Sequence, residues 1–220
     1  MTYELCVARF DEDLEWLGPY KKQAVIYNKG SELNKKCFKE VFKISPIGLE
    51  TFSFMNYIVD HYSNLPDVVV FLQGRIDDHL GDIKNKHSEN NKKDPLVFID
   101  YVIKEAQEKG ISSPLDETVY DHYGWRLATP DRIKNKECKV CDYKNITDWW
   151  ENYIGFKWPG PQRCAWSQNF AVRKDNILKH PKELYVHIIN DPEFQQPYVE
   201  VSHFWERMLF PFFGVDLKKL

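Results

Sequence analysis

The chain has 220 residues, enough for one substantial domain or two small ones, and at 43% hydrophobic and 15% aromatic it can fill a sizeable core. A formal charge of −3 carries no basic footprint, which disfavours nucleic-acid binding driven by phosphate contacts. No apolar run reaches the length of a bilayer span, the start MTYELCVARF lacks the segments of a signal peptide, and five cysteines at irregular spacings do not form a secreted disulfide framework. A soluble, cytoplasmic protein of a reducing compartment is expected.

Tyr3 to Ala8 is short, apolar and β-prone, and reads as a buried first strand. In the following RFDEDLEWL, Asp11 or Asp13 is placed to cap a short helix carrying Leu14 and Leu17. A second strand is predicted from Gln23 to Tyr27, ending in the turn residues Asn28 and Gly30. Phe54, Ile58 and Tyr62 then recur at helical spacing, and Val68 to Leu72 is a continuous apolar run that suits a strand covered on both faces.

Strand, turn, strand, helix, strand is the beginning of an open α/β sheet with helices packed on it. In such sheets ligands sit beyond the carboxyl ends of the strands, so RFDED, YNKG and QGRIDDH are expected to converge on one edge. Residues Asp82 to Asp94 are polar and read as an exposed loop, whereas PLVFIDYVIKEAQEKG is an amphipathic helix capped by Asp94 and stopped by Gly110. From Val119 to Gln162 the pattern is looser and rich in aromatics. NFAVRKDNILKHPKELYVHIIND leads from a strand or loop into a helix, and VEVSHFWERMLFPFFG into a final buried one. The reading is one domain over 1–220, with a less regular second half.

Asp77 and Asp78, adjacent carboxylates directly after a buried strand, repel one another in a way that folding alone does not favour. A hard divalent cation, Mn²⁺ or Mg²⁺, relieves that repulsion by taking carboxylate oxygens together with phosphate oxygens and water. Such an ion suits a diphosphate substrate, because it neutralises charge growing on the leaving phosphate. Arg75 adds a charge-assisted contact to a phosphate or a sugar hydroxyl. An ordinary helix cap or exposed turn is the competing explanation for Asp-Asp-His. Asp148 and Glu151 stand beside Trp149 and Trp150, where a sugar-stacking aromatic surface would make them candidate bases; two tryptophans in the core are the plainer alternative.

Other signals carry less. The Cys138–Cys141 pair has the gap of a zinc half-site, but Cys164 or His122 would have to complete it without matching spacing. No dinucleotide-binding glycine fingerprint, phosphate-binding P-loop or nucleophile elbow is present.

VARFDEDLEWL, VIYNKG, GLETFSFMNYIVDHYSNLPDVVVFLQG and WSQNFAV follow one another in the order found in a group of small proteins from fungi, bacteria and large DNA viruses. That group shares V-[AS]-R-[YF]-x-E-D, a Y-N-K-G turn, a G-x-E before a helix and an L-P-D-x-x-x-F-x-Q-G strand. The chain is also similar, from Val7 to about Trp205, to the small glycosyltransferase domain of chlorella viruses, which has the nucleotide-sugar-binding GT-A fold. The resemblance implies a single GT-A-like domain with a central, mostly parallel sheet flanked by helices, its nucleotide-binding half at 1–110 and its acceptor-side half at 111–220. It implies a donor pocket lined by Ala8, Arg9, Phe10, Lys29, Gly74, Arg75 and Asp77, with the host cytoplasm as the compartment if the chain is viral.

A strict D-x-D is absent. Adjacent side chains on a strand point opposite ways, so Asp78 is the expected metal ligand and Asp77 the expected contact to a sugar hydroxyl or the ribose. His203 is the expected second ligand, with His79 as competitor and a packed C-terminal helix as the structural alternative. Gln168 and Asn169 stand where related folds present sugar-contacting groups, although both also suit turn backbone. Asp77, Gln168, Asp148 and Glu151 are thus the candidates for the transfer chemistry. The expected activity is metal-dependent transfer of a hexose or deoxyhexose from a UDP-sugar to a hydroxyl of a glycan or glycoprotein. The alternative is a non-catalytic nucleotide-sugar or glycan-binding module of the same fold. A phosphoesterase or nuclease using the same acids is disfavoured by the sparse acidic and histidine ligands elsewhere.

Overall fold

The computed structural model describes residues 1–76, 94–113, 119–127, 140–196 and 200–214. Its framework is one six-stranded sheet built from β1 (Tyr3–Arg9), β2 (Ala24–Asn28), β3 (Glu40–Lys43), β4 (Val68–Gln73), β5 (Ile111–Ser112) and β8 (Phe170–Arg173). A separate two-stranded ribbon pairs β6 (Val119–Tyr120) with β7 (Gln162–Arg163). The order across the large sheet is β3-β2-β1-β4-β8-β5. The pairs β3–β2, β2–β1 and β1–β4 are parallel, while β8 runs antiparallel to both β4 and β5. The protein is therefore α/β with a mostly parallel sheet, as the strand and helix alternation predicted.

Parallel neighbours require crossovers, and each crossover covers a face of the sheet. A 3₁₀ segment, Glu15–Gln23, links β1 to β2; α1 (Leu49–His61) precedes β4; and α2 (Pro95–Lys109) precedes β5. Alternation along the strands then divides the core into two layers. Leu5 and Val7 of β1 join Ala24, Ile26, Val68, Val70 and Leu72 against Leu14, Leu17 and the apolar stripe of α2. Cys6 and Ala8 join Val25, Tyr27, Val69 and Phe71 on the other face, against α1, α3 (Lys182–Ile189) and α4 (Glu200–Gly214). On that face Phe71 and its register partner Phe170 stack with ring centroids 4.9 Å apart.

The predicted strand and helix positions stand within a residue or two, and α2 has the expected ends. Asp94 accepts the backbone N–H of Leu96 at 2.8 Å, and Gly110 closes the helix at φ 89°. One feature differs from expectation, and one alternative that the sequence leaves open is decided. β3 is a strand that E-V-F-K does not announce, because it is four residues long with charged ends. Trp149 and Trp150 lie on a helical segment, Ile146–Asp148 continuing as Trp149–Ile154, and are 0% and 1% exposed. They fill the core around Phe204, Trp205 and Phe212 and offer no surface for a sugar. The exposed loop expected at 82–94 lies, but for Asp94, outside the described residues.

Candidate functional site

Because β2, β1 and β4 are adjacent and parallel, their carboxyl ends share one edge, as the polar strand ends predicted. The connections leave β1 toward β2 on one side and the chain returns at β4 on the other. Such a switch point is where open α/β sheets hold ligands.

The edge is tied together by backbone approach. Lys29 N–H donates to the Arg9 carbonyl at 2.7 Å, and Gly74 N–H to the Ala8 carbonyl at the same distance. A side chain at Gly30 would place its Cβ 1.7 Å from the Phe10 carbonyl oxygen, so the two loops meet only because that residue is glycine. At Gly74 the same atom would lie 2.5 Å from the Glu12 carboxylate. Arg9 is 6% exposed and binds the Glu12, Phe10 and Ser31 carbonyls and the Asn28 side chain, at 2.8 to 3.1 Å. Its guanidinium therefore holds the two strand ends in place. Asp11 accepts the Ser31 N–H at 2.6 Å, and Ser31 holds its carboxyl below the ordinary range.

Two adjoining cavities open on this edge, sharing Phe10 and Glu12. The larger, about 620 Å³, runs along Asp11, Asp13, Trp16, Gly74 and Arg75. The smaller, about 460 Å³, is walled by Ala8, Pro46, Ile47 and Leu49 and carries Lys29 and Glu50. Phe10 stands between them, 50% exposed. Lys29 Nζ donates to the Ile47 carbonyl at 2.7 Å and to that of Leu49. Burial pushes its pKa down to about 8, against the pull of nearby Glu50. Burial pushes the Glu50 carboxyl up; its own backbone N–H, Lys29 and His203 oppose that rise and Glu206 adds to it.

The far side of the edge is built by the turn before β8. Gln73 N–H donates to Asn169 Oδ1 at 2.9 Å, and Asn169 Nδ2 donates to Ser167 at 3.2 to 3.3 Å. Ser167 and Gln168 both adopt the left-handed region, φ 56° and 53°, where side-chain-bearing residues are uncommon. Ser167 N–H donates to Glu206 of α4 at 2.6 Å. Burial alone would raise Glu206; His203, Arg207 and that N–H outweigh it and hold its carboxyl low.

These contacts decide what several predicted residues do. Ala8, Arg9, Phe10, Lys29, Gly74 and Arg75 all border the cavities, with Arg9 as the knot beneath them and Gly74 as the close approach. Gln168 is 4% exposed and is held between the Thr51 hydroxyl and the Ser202 carbonyl, so it is a turn-fixing residue and not an open sugar contact. Asp148 accepts Lys144 N–H at 3.0 Å and Asn152 Nδ2 at 2.8 Å, and these bonds keep its carboxyl below the ordinary range, contrary to what a base requires. Glu151 accepts Trp158 N–H at 3.1 Å and closes a local turn. His203 sits on α4 with Nδ1 3.8 Å from Glu206 Oε2. Asp77, Asp78 and the competitor His79 lie outside the described residues. Among the described residues no three histidine, cysteine, aspartate or glutamate side chains assemble as a metal-ligand set.

Glu50, like Glu12, is an acidic cavity residue to which the sequence reading assigned no role. The signal was there, as the glutamate of Gly48-Leu49-Glu50 ahead of α1, but an acid in a first helical turn is ordinarily explained by the helix dipole alone.

Residues 5–110 match the model of a family described as a protein of unknown function, DUF3431. That span runs from β1 to the end of α2 and contains both cavities' lining residues. No curated protein and no solved structure matches the chain.

Proposed function

We propose that the protein is a glycosyltransferase of GT-A type that takes a UDP-sugar on the carboxyl edge of β1, β2 and β4 and passes the sugar to a glycan hydroxyl. The observation that carries the reading is the pair of adjoining cavities at the switch point, one lined by Gly74 and Arg75 and the other apolar with a lysine and a glutamate. A nucleotide sugar has two dissimilar parts, a charged diphosphate and neutral rings, and two unlike compartments match that division.

The larger cavity carries Asp11, Glu12 and Asp13 against Arg75, and Asp77 and Asp78 follow in sequence immediately after its edge. A diphosphate beside so many carboxylates requires a cation, and this oxygen-rich donor set suits Mn²⁺ or Mg²⁺. Asp78, with Asp77, would hold it, and when bound it would neutralise charge on the departing nucleoside diphosphate. The residues of the chain do the rest. Arg9 and Gly30 fix the strand ends, Phe10 divides the compartments, and Lys29 fastens the wall formed by residues 46–49.

A thermal-shift screen of nucleotides and UDP-sugars with Mn²⁺, Mg²⁺ or EDTA tests the reading, since a ligand binding only the native state raises the melting temperature. Stabilisation by UDP with Mn²⁺, lost with EDTA and in Asp78→Ala, is the expected result. No shift with any nucleotide would sink the proposal. A second reading, a non-catalytic nucleotide-sugar-binding module, is favoured by the structural commitments of Gln168, Asp148 and Glu151. Release of UDP from a UDP-sugar in the absence of acceptor separates the two, because a binding module leaves the donor intact.

A further inference from the structure

We infer that Glu50 reads the hydroxyl groups of the ligand, accepting a vicinal diol in the smaller cavity; the inference rests on the donor-site reading above and names what that compartment holds. Glu50 stands in the first turn of α1, half-buried at the cavity wall. A glutamate that served only the helix dipole would keep its carboxylate in water. This one has lost part of its hydration, and burial drives its pKa up.

The lost water is not replaced by protein. Apart from its own backbone N–H, no donor among the described residues hydrogen-bonds the Glu50 carboxylate, and no cation there lies within ion-pair distance of it. An ionised carboxylate has about four acceptor positions. Lys29, the neighbouring cation, gives two of its three ammonium hydrogens to the Ile47 and Leu49 carbonyls, so its charge acts on Glu50 through space. Glu50 is therefore a partly desolvated acceptor that faces a cavity and waits for donors.

Charge decides which donors. Glu12 lines the same cavity, and Glu206 adds negative potential at Glu50 from α4, while His203 and Lys29 oppose it. A phosphate would meet the Glu12 and Glu50 carboxylates, while the two cations of the same wall, Lys29 and Arg9, already donate to backbone carbonyls and to Asn28. A neutral ring bearing hydroxyls meets apolar walls at Ala8, Ile47 and Leu49 and finds acceptors at the rim. Two hydroxyls on neighbouring carbons match the two oxygens of one carboxylate, and such charge-assisted bonds are stronger than neutral ones. The diol has two sources in a UDP-sugar, the ribose and the transferred sugar.

Isothermal titration of the full chain in the presence of Mn²⁺ with UDP, 2′-deoxy-UDP and UDP-glucose, in wild-type and Glu50→Gln proteins, tests the assignment and separates the sources. If the ribose is read, wild type binds UDP about tenfold tighter than its deoxy analogue and Glu50→Gln removes that difference. If the sugar is read, Glu50→Gln leaves UDP unchanged and abolishes the added affinity of UDP-glucose. Equal affinities for all three ligands in the two proteins overturn the inference while leaving the donor site standing. A wild-type protein that binds none of them overturns both. The unliganded melting temperature of Glu50→Gln should lie close to that of wild type, because the only protein hydrogen bond of the carboxylate among the described residues is to its own backbone N–H.

Discussion

Gly30 and Lys29, neighbours in one turn, show how single residues set the carboxyl edge. A Cβ on Gly30 would collide with the Phe10 backbone, which cannot rotate away as a side chain can. Gly30→Ala is expected to cost about 1–3 kcal/mol of stability, read from denaturant unfolding. An unchanged midpoint would mean that the two loops separate easily. Lys29 carries a pKa lowered by burial to about 8 from an ordinary 10.5, so between those values the unfolded chain binds more protons than the folded one. Stability contributed at this position therefore rises as pH climbs from about 8 toward 10.5. Measured against Lys29→Met, the wild-type melting temperature should gain across that window, and a flat difference would place the ammonium in open water. The Y-N-K-G run made the turn legible in the sequence. The carbonyl partners of Lys29 were not, because they arrive from a loop that only folding brings near.

Among the elements, those that bury continuous apolar runs were the most legible. β1, β2, β4 and α2 follow from their patterns, since a strand covered on both faces needs unbroken apolar residues and an amphipathic helix needs its stripe. The convergence of three strand ends followed from the same logic. β3 escaped because its side chains are only half-buried, and the Ser167–Gln168 turn escaped because neither residue is one that favours the left-handed region. Arg9, expected at the donor pocket, borders the smaller cavity and also joins β1 to the turn after β2 through four acceptors. Arg9→Met should cost about 3 kcal/mol in chemical denaturation, because four hydrogen bonds from a buried guanidinium are lost at once. Loss of ligand binding with full stability would make Arg9 a ligand contact and not a brace.

At the scale of the whole molecule, the family match and the fold do not share a boundary. Residues 5–110 contain β1 to β4, α1 and α2, but β8, from residues 170–173, fills the position between β4 and β5. Phe170 stacks on Phe71, and α4 covers the same face. A fragment of residues 1–112 would expose the long edge of β4 together with that apolar face. It should show no cooperative thermal transition by circular dichroism, whereas a sharp transition would make the first half a folding unit in its own right. The placement of β8 also bears on how the protein is made. Nearly a hundred residues separate the end of β4 from the strand that pairs with it, and at ribosomal rates their synthesis takes about 5–20 s. Throughout that interval the nascent chain presents an unpaired apolar strand edge, the kind of surface that chaperones hold and that seeds aggregation when they do not.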